Sequence, residues 1–179
     1  MRTHLLGFTL GTALFAAAST TFAAETAGAI NFGKFTPPAG GEFVEVKVNG
    51  NLLAMAAKLA EKTEPEAAQI LKGLKSIRVN VVGLDDANRA EIEQRIKSVR
   101  ADLEAQGWER TVTVQKEGED VGIYIKTQGD EAVEGLVVTV LQAKGEAVLV
   151  NIVGNIRPEQ LTAVAERLNI EPLKGIARR

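Results

Sequence analysis

The residues best suited to acid–base chemistry are three carboxylates close together in the chain, Glu117, Glu119 and Asp120. Two carboxyl groups in different surroundings can hold different pKa values, and such a pair can serve as general acid and general base in a hydrolase. Gly118 between them indicates a hairpin tip, which is a solvated position. The pattern therefore favours an exposed turn, and hydrolysis would require a pocket that gathers acids from separate elements.

The first 24 residues predict a secretory signal peptide. Arg2 supplies the positive start, residues 5–18 form an uncharged apolar stretch, and small residues lead to an expected cleavage after Ala23 or Ala24. This stretch is shorter than the roughly twenty residues that cross a bilayer as a helix. We therefore expect an exported protein of the periplasm or cell envelope, with no transmembrane segment after cleavage. An uncleaved membrane anchor is the competing interpretation.

Cleavage would remove His4, the only histidine, and the sequence contains no cysteine. A processed chain without imidazole or thiol has no Ser-His-Asp triad, cysteine nucleophile, disulfide or His-ligated zinc site. Oxygen-only metal sites and acid–base chemistry by carboxylates or lysine remain open. The later serines, Ser76 and Ser98, lie outside any Gly-x-Ser-x-Gly elbow. We predict no catalytic residue, cofactor or metal site and favour a non-enzymatic protein.

Asp85 and Asp86 precede a predicted helix, where carboxylates accept amide hydrogens of the first turn. A calcium loop would need oxygen ligands at alternating positions and a bidentate acid, and Asp85, Asp86 and Asn88 supply only a part of that set. We therefore predict helix capping here, with Asn88 and Glu91 as a capping box.

Three residues are candidates for contact with a ligand or partner: Trp108, Tyr124 and Lys126. Tyr124 and Lys126 share one face of a predicted strand, so the Tyr124 hydroxyl can reach a ligand or can simply pack. Trp108 follows Gly107, and it either anchors a helix-to-strand corner or lies exposed as a contact. We favour the anchor for Trp108.

The elements before the longest helix alternate between strand and helix patterns. Residues 25–41 are rich in Gly and Pro and predict a flexible lead-in, followed by a single domain over 42–176. Alternating valines at 44, 46 and 48 predict a strand that is wet on one side. A helix follows that Asn51 can cap, and Pro65 begins a shorter one. The first helix carries one apolar stripe: Leu52, Met55, Ala56, Leu59 and Ala60.

A strand over Ser76–Val82 and a helix ended by Gly107 lead to four more strands, predicted over Trp108–Lys116, Asp120–Thr127, Val133–Gln142 and Glu146–Gly154. The links between the four are too short for parallel crossovers and indicate antiparallel hairpins. The last two strands are apolar at nearly every position. We therefore place them in the middle of the sheet, with both faces covered.

A final helix is predicted from Pro158 to just before Pro172. This order of elements predicts an α+β domain: a mostly antiparallel sheet of about six strands with helices packed on one face. Val137, Leu149 and Val153 would then point to the other face, where the lead-in, the last helix or another protein molecule must shield them.

Four segments carry a family resemblance: LKSIRV from Leu74, GWERTVTVQKEGEDVGIYIK from Gly107, EGLVVTV from Glu134, and VNIVGNIRPEQL from Val150. They resemble the bacterial domain-of-unknown-function family DUF4252. The resemblance implies a small exported protein of one domain and supplies no catalytic residue. Members are often lipoproteins, but this sequence lacks the cysteine for lipid attachment, so no lipid anchor is expected.

Charge and composition narrow the partner class. The net charge is −2, and Lys and Arg are spread along the chain, so nucleic acid is not predicted as a partner. The leading hypothesis is a non-enzymatic envelope domain that binds a partner protein, or itself, through a sheet face left uncovered by helices. One alternative is a carrier or sensor of a small apolar ligand. The other is a hydrolase that uses Glu117, Glu119 or Asp120.

Overall fold

The computed structural model describes residues 27–35, 41–129, 132–157 and 160. It contains one six-stranded antiparallel sheet of order β1-β2-β6-β5-β4-β3 and three helices. The strands are β1 Phe43–Asn49, β2 Leu74–Gly83, β3 Glu109–Lys116, β4 Glu119–Gln128, β5 Ala132–Leu141 and β6 Glu146–Ile156. The helices are α1 Gly50–Ala60, α2 Pro65–Gly73 and α3 Arg89–Ala105. The predicted α+β class and strand number are confirmed.

The two most apolar strands occupy central positions, as predicted. β6 lies between β2 and β5, and β5 lies between β6 and β4. Neighbouring residues in a strand point to opposite faces, so each of these strands buries side chains in two separate clusters. Leu136 and Ile152 belong to one cluster, and Val137 and Leu149 belong to the other.

The helices cover both faces of the sheet, which differs from the single helical face expected from sequence. Leu53 of α1 and Ile70 of α2 join the cluster of Ile152. Ile92 and Ile96 of α3 join the opposite cluster, with Leu149. The physical reason lies in the central strands, since strands that are apolar on both sides need cover on both sides.

Residues 27–35 also cover the α3 face, although they fall within the predicted flexible lead-in. Phe32 is 2% exposed and Phe35 is 8% exposed. The Asn151 side chain fixes this segment, because its Oδ1 accepts from the Ile30 amide at 3.0 Å and its Nδ2 donates to the Gly28 carbonyl at 3.0 Å. The predicted alternative in which the lead-in shields Val137 and Leu149 is therefore correct. These residues belong to the domain.

The helix caps agree with the prediction at Asp85 and differ from it at Asn51 and Asn88. Asn49, not Asn51, caps α1, since its Oδ1 accepts from the Leu52 amide at 3.1 Å. Before α3 the capping carboxylate is Asp85, which accepts from the amides of Ala87 and Asn88. Asn88 makes no side-chain cap, because its amide group bonds the backbone of Asp85 and Gly83. The helix predicted from Pro158 lies outside the described residues, apart from position 160.

Candidate interaction surface

Trp108 lies buried at the corner between α3 and β3. Its side chain is 4% exposed and packs in the cluster of Phe32 and Leu103. A Cβ atom at Gly135 would overlap the indole ring, so this glycine provides the space for the ring. The indole Nε1 makes no hydrogen bond within the described chain. This position favours the anchor interpretation, and a role of Trp108 in ligand contact stays a prediction.

Tyr124 lies on the α3 face of β4 and is fully buried. The guanidinium carbon of Arg110 lies 5.5 Å from the centre of its ring, a cation–π distance. The hydroxyl makes no hydrogen bond of good geometry among the described residues. Burial raises the pKa of Tyr124 above its ordinary value of 10.0, and the nearby charges of Arg110 and Arg100 offset part of this rise.

Lys126 follows Tyr124 on the same face of β4 and is partly exposed. The three predicted contact residues therefore comprise two buried aromatic side chains and one lysine of intermediate exposure. They do not form a common exposed surface. Their predicted part in binding rests on the sequence alone.

Arg100 connects α3 to the sheet. Its Nη1 donates to both carboxylate oxygens of Asp120, at 3.0 and 2.8 Å, and its Nε donates to Thr139 Oγ1 at 3.0 Å. The Arg100 side chain is 14% exposed. The apolar part of a long arginine side chain can be buried while its charged end forms hydrogen bonds. Arg100 therefore links α3 to β4 and β5.

The acids considered for hydrolysis line an open groove of about 430 Å³ between α3 and the β3–β4 hairpin. Glu93 of α3 lines the same groove as Glu117, Glu119 and Asp120, so the groove gathers acids from separate elements. Glu93 pairs with Arg89 at 3.1 Å and Asp120 is held by Arg100, while the Glu117 side chain is 84% exposed. This arrangement matches an ion-pair network more closely than an acid–base pair with two distinct environments.

A larger groove of about 1110 Å³ lies between residues 29–35 and the β1–β2 end of the sheet. Phe32, Phe35 and Phe43 line it together with charged and polar residues. Among those are Glu45, Lys47 and Arg78. The mixed lining gives little support to a carrier of an apolar molecule at this place, because such a ligand would leave these polar groups unpaired.

The largest exposed apolar side chains of the described structure lie on two adjoining elements, β1 and α1. Val44 and Val46 of β1 are 39% and 42% exposed. Leu52, Met55 and Leu59 of α1 are 51%, 62% and 81% exposed. Val48, on the same side of β1 as the two valines, packs in the cluster of Leu53, so the helix and the valines share one side of the sheet. We call these five residues the β1–α1 surface.

The apolar stripe predicted for α1 contains the helical residues of this surface, Leu52, Met55 and Leu59, but not the two valines of β1. α1 buries Leu53 and Ala57 instead, and Leu52, Met55 and Leu59 face solvent. A helix needs one apolar stripe to pack on a sheet, and α1 carries apolar residues over a wider arc than that. The width of the arc is the sequence signal that points to this surface, which the sequence-based choice of contact residues missed.

The two edges of the sheet differ in how they are protected. β3 carries a register shift between Arg110 and Val112 and has mostly polar, exposed side chains. β1 pairs with β2 over Phe43–Asn49 without any shift, and its other side has no strand neighbour in the described chain. A bulge is a common device against strand addition, whereas a regular edge with exposed valines favours it.

The opposite face of β1 carries charges. Lys47 Nζ lies 2.9 Å from Glu45 Oε1, and Asn80 Nδ2 donates to the same oxygen at 3.3 Å. The hydrogen bond from Lys47, followed by that from Asn80, lowers the pKa of Glu45 below 4.5. Both side chains are well exposed, at 57% for Lys47 and 36% for Glu45, so they remain accessible to a partner.

Among the described residues, no group of three or more His, Cys, Asp or Glu side chains is placed to hold a metal ion. No helix in the same residues is long and apolar enough to cross a membrane. The family model described as "Domain of unknown function (DUF4252)" matches residues 40–164. No curated protein and no solved structure matches the chain.

Proposed function

The chain belongs to the DUF4252 family, and we propose that it is a non-enzymatic interaction domain of the cell envelope that binds a protein through the β1–α1 surface. The observation that carries the proposal is the coincidence of exposed Val46, Leu52, Met55 and Leu59 with a regular strand edge that has no partner strand among the described residues. Exposed apolar side chains grouped on neighbouring elements are candidates for an interaction site, and the edge of a sheet supplies backbone hydrogen bonds to an added strand.

The proposal moves the contact away from the broad uncovered sheet face predicted from sequence. Helices and residues 27–35 pack on the two faces, so the exposed apolar area is concentrated at one end of the sheet. Export is supported by the signal-like residues 1–24, which lie outside the described structure. A partner in the envelope would then meet the domain without any need for catalytic groups.

Photocrosslinking in the host tests this proposal. A photoreactive amino acid at Met55 should give discrete adducts with protein in the envelope fraction, because this side chain would lie in the interface. The matched control is the same probe at Asp102, an exposed residue of α3 on the other side of the sheet. Equal labelling at both positions, or no adduct at Met55, would contradict the surface, and adducts confined to the cytoplasmic fraction would contradict export.

A further inference from the structure

β1 has a symmetry that bears on what pairs with it. The strand covers Phe43–Asn49, so Val46 is its central residue. Valines at 44, 46 and 48 point to the α1 side, and Glu45 and Lys47 point to the other side, one on each side of Val46. Positions at equal distance from Val46 therefore carry two valines (44 and 48) or two opposite charges (45 and 47).

Two copies of β1 can pair about a two-fold axis perpendicular to the sheet. Directly opposed residues in an antiparallel pair point to the same face of the sheet. With this symmetry, one residue at the axis must therefore lie opposite the same residue of the other copy. An axis at Glu45 would place two glutamates opposite each other, and an axis at Lys47 would place two lysines opposite each other. Like charges at directly opposed positions destabilise a sheet.

The axis at Val46 avoids both conflicts. Glu45 of each copy then faces Lys47 of the other, and Val44 faces Val48 in both directions. All seven residues of the strand pair in this register, whereas any shift shortens the ladder. The ion pair that Glu45 and Lys47 now form within one strand would be exchanged for two pairs between strands, so no charge loses its partner.

We propose that the partner of the β1–α1 surface is a second copy of this chain, joined by antiparallel pairing of the two β1 strands about Val46. This inference rests on the proposed function and names its partner. The valine rows of the two copies form one apolar strip on the α1 side of a continuous twelve-stranded sheet, twice the six strands of one copy. The exposed α1 residues, Leu52, Met55 and Leu59, lie on that same side.

Charge exchange at Glu45 and Lys47 tests the register. Sedimentation equilibrium of protein purified from the host should show a dimer that dissociates on dilution. Glu45→Lys and Lys47→Glu each place like charges opposite each other twice per dimer, so each should weaken dimerisation about tenfold or more. The double variant restores opposite charges and should dimerise within about threefold of the natural protein. An equimolar mixture of the two single variants should form a heterodimer.

The control is Glu109→Lys at the exposed start of β3, the other edge strand, which should leave the dimer unchanged. Circular dichroism should show that every variant is folded at room temperature. A natural protein that stays monomeric at millimolar concentration overturns the inference, and so does a dimer that ignores both single reversals. The proposed function fails separately, when the Met55 probe gives no adducts in the host. Adducts with other proteins, together with a monomer in solution, would retain the function and reject the second copy.

Discussion

Two aromatic side chains in the interior of the described structure carry a buried polar atom, and their packing explains why such an atom is tolerated. The Tyr124 hydroxyl and the Trp108 Nε1 are buried and make no hydrogen bond among the described residues. Each belongs to a large aromatic side chain in the cluster under α3. The apolar area that these rings bury outweighs the cost of an unpaired polar atom at their edge.

Tyr124→Phe tests whether the hydroxyl has a hidden partner. Because the hydroxyl has no hydrogen bond of good geometry within the described part of the chain, its removal should change the free energy of unfolding at pH 7 by less than about 1 kcal/mol. Urea unfolding followed by Trp108 fluorescence measures this value. A loss of more than about 2 kcal/mol would show that the hydroxyl has a hydrogen-bond partner in the folded protein.

The same variant has a signature in alkali. Burial raises the pKa of Tyr124 in the folded state, so its contribution to stability is complete below pH 10.0 and is lost as pH rises through the folded pKa. The natural protein should therefore lose more stability above pH 10.0 than Tyr124→Phe does. Equal slopes for the two proteins would contradict the raised pKa.

At the scale of elements, strand patterns could be predicted from sequence and the side on which each helix packs could not. β3, β4, β5 and β6 begin and end within about two residues of the predicted bounds, because alternation and short glycine-containing links are local signals. Helical periodicity identifies an apolar stripe but not the sheet face that receives it. Tertiary contacts therefore decide that α1 and α2 pack on one face of the sheet and α3 on the other.

Residues 27–35 escaped prediction for a related reason. Ile30, Phe32 and Phe35 follow neither a helical nor a strand period, so nothing local marks them as core. This segment is held on the sheet by hydrogen bonds to Asn151, which is 121 residues away from Ile30 in the sequence. The β1–α1 surface was missed in the same way, since burial of Leu53 rather than Leu52 is decided by the sheet beneath α1.

Phe32→Ala tests whether this segment is part of the fold. Phe32 is 2% exposed, and truncation of a buried phenylalanine typically costs about 3–5 kcal/mol. Lys34→Ala changes an exposed residue of the same segment and should cost less than about 0.5 kcal/mol. Chemical denaturation measures both. A flexible lead-in, as first expected, would give two equally small effects.

In the described structure, the two edge strands of the sheet differ in regularity and polarity. β3 ends the sheet with a register shift and polar residues, whereas β1 ends it with a straight ladder and exposed valines. The β1 side also carries the exposed apolar residues of α1. A further strand can therefore add at β1 more readily than at β3. If two copies associate through β1 alone, they form a closed dimer and not an open filament.

Hydrogen exchange of the intact protein at high and low concentration measures which edge takes part. At the concentration where association occurs, amides of β1 should exchange at least about tenfold more slowly than in dilute protein, because pairing protects the outward-facing amides. Amides of β3 should exchange at the same rate in both samples. Protection that appears at β3, or at neither edge while the protein associates, would contradict the account.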